Sequence, residues 1–144
     1  MRIERTVQIA ASPNRVYDVV MDPTRLGDWV TIHRRLEGTP PARLEHGSKL
    51  TQYLKLAGQR FKVRWTVVEN DPEKHVVWEG RGPVGSHARV EYRFAPNGDG
   101  TRFSYVNEYD LPGGALGRMA GRTVSRVAAK ELNGSLQRLK SLVE

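Results

Sequence analysis

A chain of 144 residues is long enough to bury one core and short for two, so a single domain over 1–144 is expected. It has no cysteine, which excludes disulfides, thiolate zinc sites and thiol nucleophiles and suits a reducing cytoplasm. Its net charge of +7, carried mostly by Arg, raises the question of an anionic partner.

The chain opens with MRIERTVQIAASP, which has no apolar run of signal-peptide length, so no leader is expected. Ile3, Val7 and Ile9 alternate with Glu4, Thr6 and Gln8, which predicts a first strand. Arg5 interrupts its apolar face and places the strand near a sheet edge. Next comes SPNRVYDVVMDPTRLGDWV, residues 12 to 30, which begins two helices in quick succession. Ser12 offers an N-cap oxygen, and Pro13 takes the first helical position, where its missing N–H is harmless. Asp22-Pro23 repeats the device, and Gly27 is expected to end the second helix. Helices this short are marginal alone, so both must lie on something.

Strands follow. Leu50, Gln52, Leu54 and Leu56 alternate with Thr51, Tyr53 and Lys55; Phe61, Val63, Trp65 and Val67 alternate with Lys62, Arg64 and Thr66. Val76, Trp78 and Gly80 form one face of the next. Ala88, Val90, Tyr92 and Phe94, then Phe103, Tyr105, Asn107 and Tyr109, complete the pattern. One apolar and one wet face per strand predicts an antiparallel sheet. Ala57-Gly58, Asn70-Asp71-Pro72 and Asn97-Gly98-Asp99-Gly100 supply turns. The segment from Gly38 to Gly47, with Pro40-Pro41, is the expected mobile excursion.

From Leu116 the apolar period becomes three or four: Ala120, Val124, Val127, Ala128, Leu132, Leu136, Leu139 and Val143. This predicts an amphipathic helix of about 40–45 Å, long enough to cross a sheet. The order strand, two short helices, six strands and long helix predicts an α+β helix-grip fold. A curved antiparallel sheet of about seven strands would be bridged at one end by the short helices and filled by the long one.

The residues resemble the START-like (SRPBCC) superfamily, within it the polyketide cyclase/dehydrase group. Pro13, Val16, Tyr17, Asp22, Leu26 and Trp29 stand where that group has its proline, helix apolars, Asp and Trp, and the PGGALG run at 112–117 is similar too. The resemblance covers essentially the whole chain. It implies a hydrophobic cavity between sheet and long helix that binds a small hydrophobic, aromatic or lipid molecule, with a polyketide cyclase or aromatase-like enzyme as the alternative.

The residues themselves add two pointers to a cavity. Gln52 and Asn107 place amides on the apolar face, where an unpaired amide costs roughly 1–3 kcal/mol. Gly113, Gly117 and Gly121 recur every four residues on the long helix, at about 1 kcal/mol each relative to Ala. With the resemblance, the expected ligand-binding residues are Trp29, Gln52, Leu54, Trp65, Trp78, Tyr92, Tyr105, Asn107, Gly117 and Gly121.

Other motifs carry less. Arg118, Arg122, Arg126 and Lys130 form a basic ladder, read as a solvated face with weak contact to an anionic surface as the alternative. No recognition motif points to nucleic acid. GRGPVG at 80–85 matches the dinucleotide glycine pattern, but it carries Pro83 and leads into a strand, so a loop is expected. The four histidines lack ligand spacing, and neither metal nor other cofactor is expected. His33, alternating with Ile32, is expected at the surface. Asn133-Gly134-Ser135 is a sequon without meaning in the cytoplasm.

Overall fold

The computed structural model describes the backbone of residues 1–110 and 115–144, and side chains outside 111–121. Seven antiparallel strands form one sheet in the order β1-β7-β6-β5-β4-β3-β2. They are β1 (Arg2–Ile9), β2 (His33–Leu36), β3 (Lys49–Leu56), β4 (Gln59–Asp71), β5 (His75–Arg81), β6 (His87–Asn97) and β7 (Gly100–Asp110). Helix α1 (Pro13–Val20) and α2 (Leu26–Trp29) lie between β1 and β2, and α3 (Ala115–Val143) follows β7. This is the expected helix-grip arrangement. β1 is an edge strand, as Arg5 suggested, and the other edge, β2, has only four residues, which limits open edge pairing.

The two helix starts are capped as read. Ser12 Oγ accepts from the Arg15 amide at 3.3 Å, and Asp22 Oδ1 accepts from the Thr24 amide at 2.9 Å. The second start differs in detail. Pro23–Arg25 forms a 3-10 turn that runs into α2, and Gly27 lies inside α2, which ends at Trp29 instead. Burial explains the later stop, since Leu26 and Trp29 point to the core one turn apart and reward that extra turn.

Helix α3 carries its buried stripe on Ala128, Leu132, Leu136, Leu139 and Val143, and packs on β1 and α2. Polar bonds fix it in place. Thr31 donates from its amide to Ser135 Oγ at 3.0 Å and from its hydroxyl to Glu131 O at 3.1 Å; Arg15 Nε donates to Val143 O at 2.7 Å. Ser135 of the sequon is thus a buried structural residue. In the 38–47 excursion, Leu44 is only 2% exposed, so the segment is anchored into the core at its middle. Exposed Arg122, Arg126 and Lys130 form the wet face of α3; Arg118 lies outside the described side chains. Of GRGPVG, Gly80 and Arg81 still belong to β5, and the loop expected there is confined to 82–85, with Pro83–Gly85 as a single 3-10 turn.

Candidate ligand site

The sheet's inner face fixes the site by register. Trp78 on β5, Val90 on β6 and Asn107 on β7 stand opposite one another. The next row toward the loop of β5 and β6 is Leu50, Trp65, Gly80, Ala88 and Tyr109. Tyr92 and Tyr105 pair in the row on the other side. Gly80 matters to this layout: a Cβ there would lie 2.7 Å from Trp65 Cε3 and 2.7 Å from Val63 Cγ1. The missing side chain lets the Trp65 indole cross β5 and meet Trp78 edge to face at 6.4 Å.

These rows enclose a cavity of about 40 Å³. Its lining includes Gln52, Leu54, Trp65, Trp78, Tyr92, Tyr105 and Asn107, seven of the residues singled out in the sequence. Leu26, Val30, Ile32, Leu50, Val90 and Tyr109 complete the described wall. Leu26 was legible as a helix apolar but not as a cavity residue, because the closing angle of α2 on the sheet is a tertiary property. Trp29 stands behind the wall. It is fully buried against Tyr92 (6.3 Å) and Tyr105 (6.1 Å), and supports the two phenols. Gly117 and Gly121 lie outside the residues whose side-chain surroundings are described, as does Gly113. A space this size admits one or two waters. A ring-sized ligand requires the wall to open further.

The polar groups of the site fall into two sets. The first is a relay. Trp65 Nε1, a donor only, bonds Gln52 Oε1 at 2.9 Å. The Gln52 amide nitrogen must then face His33, 2.8 Å from its Nδ1. His33 therefore accepts at Nδ1 and carries its proton at Nε2. Burial, and then the charge of Arg34, hold its pKa below the usual value, consistent with a neutral ring. This corrects the surface placement. Thr31 and Ile32 form a turn, β2 begins only at His33, and a bulge follows, so simple alternation with Ile32 fails. His33 pairs opposite inward-facing Leu54.

The second set is unsatisfied. Asn107 and Trp78 line the cavity, but Asn107 Oδ1 and Trp78 Nε1 are themselves buried and without a hydrogen-bond partner; Trp29 Nε1, behind the wall, is likewise unpaired. Burial pushes the phenols of Tyr92, Tyr105 and Tyr109 well up, so all three are neutral at ordinary pH. No described lining residue carries a formal charge.

A larger depression of about 990 Å³ crosses the end of the sheet, and its lining includes Arg2, Lys49, Arg64, Arg81, Glu79 and Glu108. Charges of both signs line it, unlike the inner cavity, whose apolar and aromatic wall is the kind that favours small-molecule binding, so the inner cavity is the better candidate.

Comparisons with known proteins agree with the fold. The profile of the family described as "Polyketide cyclase / dehydrase and lipid transport" matches residues 1–144. Toxin Rv0910 of Mycobacterium tuberculosis is 25% identical over 136 residues, 94% of this chain and 93% of that protein. Among solved structures, the Zhui aromatase/cyclase from Streptomyces sp. R1128 superposes with a TM-score of 0.78 at 15% identity, over 99% of this chain and 93% of that one. The protein TTHA0849 from Thermus thermophilus gives a TM-score of 0.77 at 20% identity, over 99% of this chain and 97% of that one.

Proposed function

The chain belongs to the polyketide cyclase/dehydrase and lipid transport family, and on that premise we propose that it binds a small hydrophobic or aromatic molecule between the sheet and α3. The observation that carries this reading is the aromatic-lined cavity without a charged residue in its described wall, two of whose residues, Asn107 and Trp78, each hold a buried polar atom unpaired. A solid core would not be expected to hold such atoms, because each costs roughly 1–3 kcal/mol. A ligand that pairs with them recovers that cost on binding. Emission of Trp65 and Trp78 during titration with flavonoids, phenols and fatty acids tests the reading. Binding should change emission and raise the melting temperature together, since a ligand for the native state stabilises it by mass action. A panel that changes neither would oppose it.

A second reading, a cyclase or aromatase-like enzyme, is favoured by the Trp65–Gln52–His33 relay. With Nδ1 held by Gln52 and its proton on Nε2, this neutral histidine would serve such an enzyme as a proton donor. If this reading holds, His33→Gln abolishes turnover of a cyclisable poly-β-keto substrate and leaves its binding within a few-fold. Equal turnover by the variant would remove His33 from the chemistry.

A further inference from the structure

We propose that the outer face of the sheet carries a second site, a groove whose Arg64–Arg81 end takes the phosphoryl group of a small molecule. The inference does not rest on the inner cavity. The depression of about 990 Å³ is walled by two rows of outward side chains. One row runs Thr51, Arg64, Arg81, His87 and Asp110 from β3 to β7. The other lies two residues along each strand and runs from Lys49 on β3 to Arg2 on β1. Between them lies the row of Leu50, Trp65 and Gly80, buried residues that belong to the inner face, so their backbone floors the groove. Trp78, in the next inward row, is not among the described lining residues. The two walls start about 6.6 Å apart, and the six strands crossed span about 24 Å. A groove so narrow admits a phosphoryl group and a thin chain, not a nucleic-acid duplex.

The groove is polarised. Toward β7 and β1, Glu108 is bonded to Arg2 at 3.3 Å and Arg89 is bonded to Glu91 at 3.2 Å, and Asp110 adds a further acid. Toward β3 to β5, Lys49, Arg64 and Arg81 stand against one acid, Glu79. None of these three cations forms an ion pair among the described residues, and positions 111–121 hold no acid. Arg64 and Arg81 are directly opposite on adjacent strands, both exposed. Side chains so paired start about 5 Å apart, and like charges there repel. A dianion held between them removes the repulsion. One guanidinium fork engages two oxygens, so two forks call for a group with more than two, which a phosphoryl group has and a carboxylate lacks. Thr51, opposite Arg64, and Lys49, across the groove floor, stand beside the same place.

Calorimetric titration with pyrophosphate, at fixed ionic strength and without divalent ions, tests this. Pyrophosphate is expected to bind at one site per chain, at least tenfold tighter than the dicarboxylate malonate. Arg64→Gln and Arg81→Gln should each weaken it at least tenfold, with urea melts establishing that each variant is folded. The double change Arg122→Gln and Arg126→Gln, on the wet face of α3, should leave it within about twofold. Equal weakening by the α3 variant would mean attraction to general basicity and overturn the site. Malonate binding as tightly as pyrophosphate would overturn the phosphoryl assignment. If pyrophosphate does not bind, the proposal falls, and binding of the same protein to vesicles containing phosphatidic acid would then make this face a membrane surface. None of these outcomes bears on the inner cavity.

Discussion

Trp65 donates its indole N–H to Gln52 Oε1 at 2.9 Å inside the sheet, and that one bond sets the state of the histidine bonded to Gln52. Because the amide oxygen is taken, the Gln52 nitrogen points at His33 Nδ1, which must stay unprotonated to accept. Protonation would put two donors face to face and force Gln52 to turn, breaking the bond to Trp65.

The first prediction follows. The His33 pKa is lowered below its usual 6.5 in the folded state. A lowered value means the unfolded chain binds the proton first. Stability from the neutral ring is full above 6.5 and is lost as pH falls through the lower folded value. Trp65 emission should therefore be flat from pH 9 to 7 and change with a midpoint below 6.5. In His33→Phe that transition should vanish. A transition in that window which persists in the variant would show that another group controls Trp65.

The strand pattern was legible because period-two alternation survives wherever strands are long. Phe61 to Val67 and Phe103 to Tyr109 read the same way in sequence and in the sheet. His33 was misplaced because a four-residue strand that starts after a turn and bulges at once has no period to read. Gln52 and Asn107 were visible as polar breaks in apolar faces, whereas their different fates were not. Gln52 finds partners on two elements distant in sequence, and Asn107 Oδ1 finds none. The role of Gly80 was equally hidden, since it depends on where a neighbouring strand's indole lies.

Gly80 gives the second prediction. Replacing it with Ala sets a methyl group against the buried Trp65 ring and Val63. Neither can swing away, because both are only 6–7% exposed. Gly80→Ala should destabilise the protein by roughly 1–3 kcal/mol in urea melts, as overpacking does, although Ala is the better strand former. A stability gain would mean that Trp65 has room the geometry denies it.

The third concerns the outer face. Glu91 is 9% exposed and meets His75 Nε2 at 2.8 Å, Arg93 at 2.6 Å and Arg89 at 3.2 Å. Burial alone would raise its pKa, but the hydrogen bond from His75 and the three positive neighbours outweigh it and hold the carboxyl below its ordinary range. With the folded value lowered, Glu91 contributes stability above the unfolded pKa, about 4.3, and loses it as pH falls through the folded one. Glu91→Gln should cost roughly 1–3 kcal/mol at pH 7 and flatten the acid limb of the stability curve. An unchanged acid limb would assign that limb to other carboxylates.

Fourth, the basic face of α3 should add little to folding. Arg122 and Arg126 are exposed. Changing both to Gln should shift stability by less than about 0.5 kcal/mol. If the parent protein binds anionic vesicles and the double variant does not, this face is a contact surface rather than a solvated one.

The ligand site itself is tested most directly through the three tryptophans, whose indole N–H signals can be followed in a two-dimensional nitrogen–proton spectrum and assigned with single Trp→Phe variants. Trp65 and Trp78 line the cavity, and Trp29 lies behind it. Titration with 2-naphthol should move the Trp65 and Trp78 signals most, with Trp29 following weakly. Saturation of the protein with all three indole signals unmoved would place binding elsewhere and contradict the account.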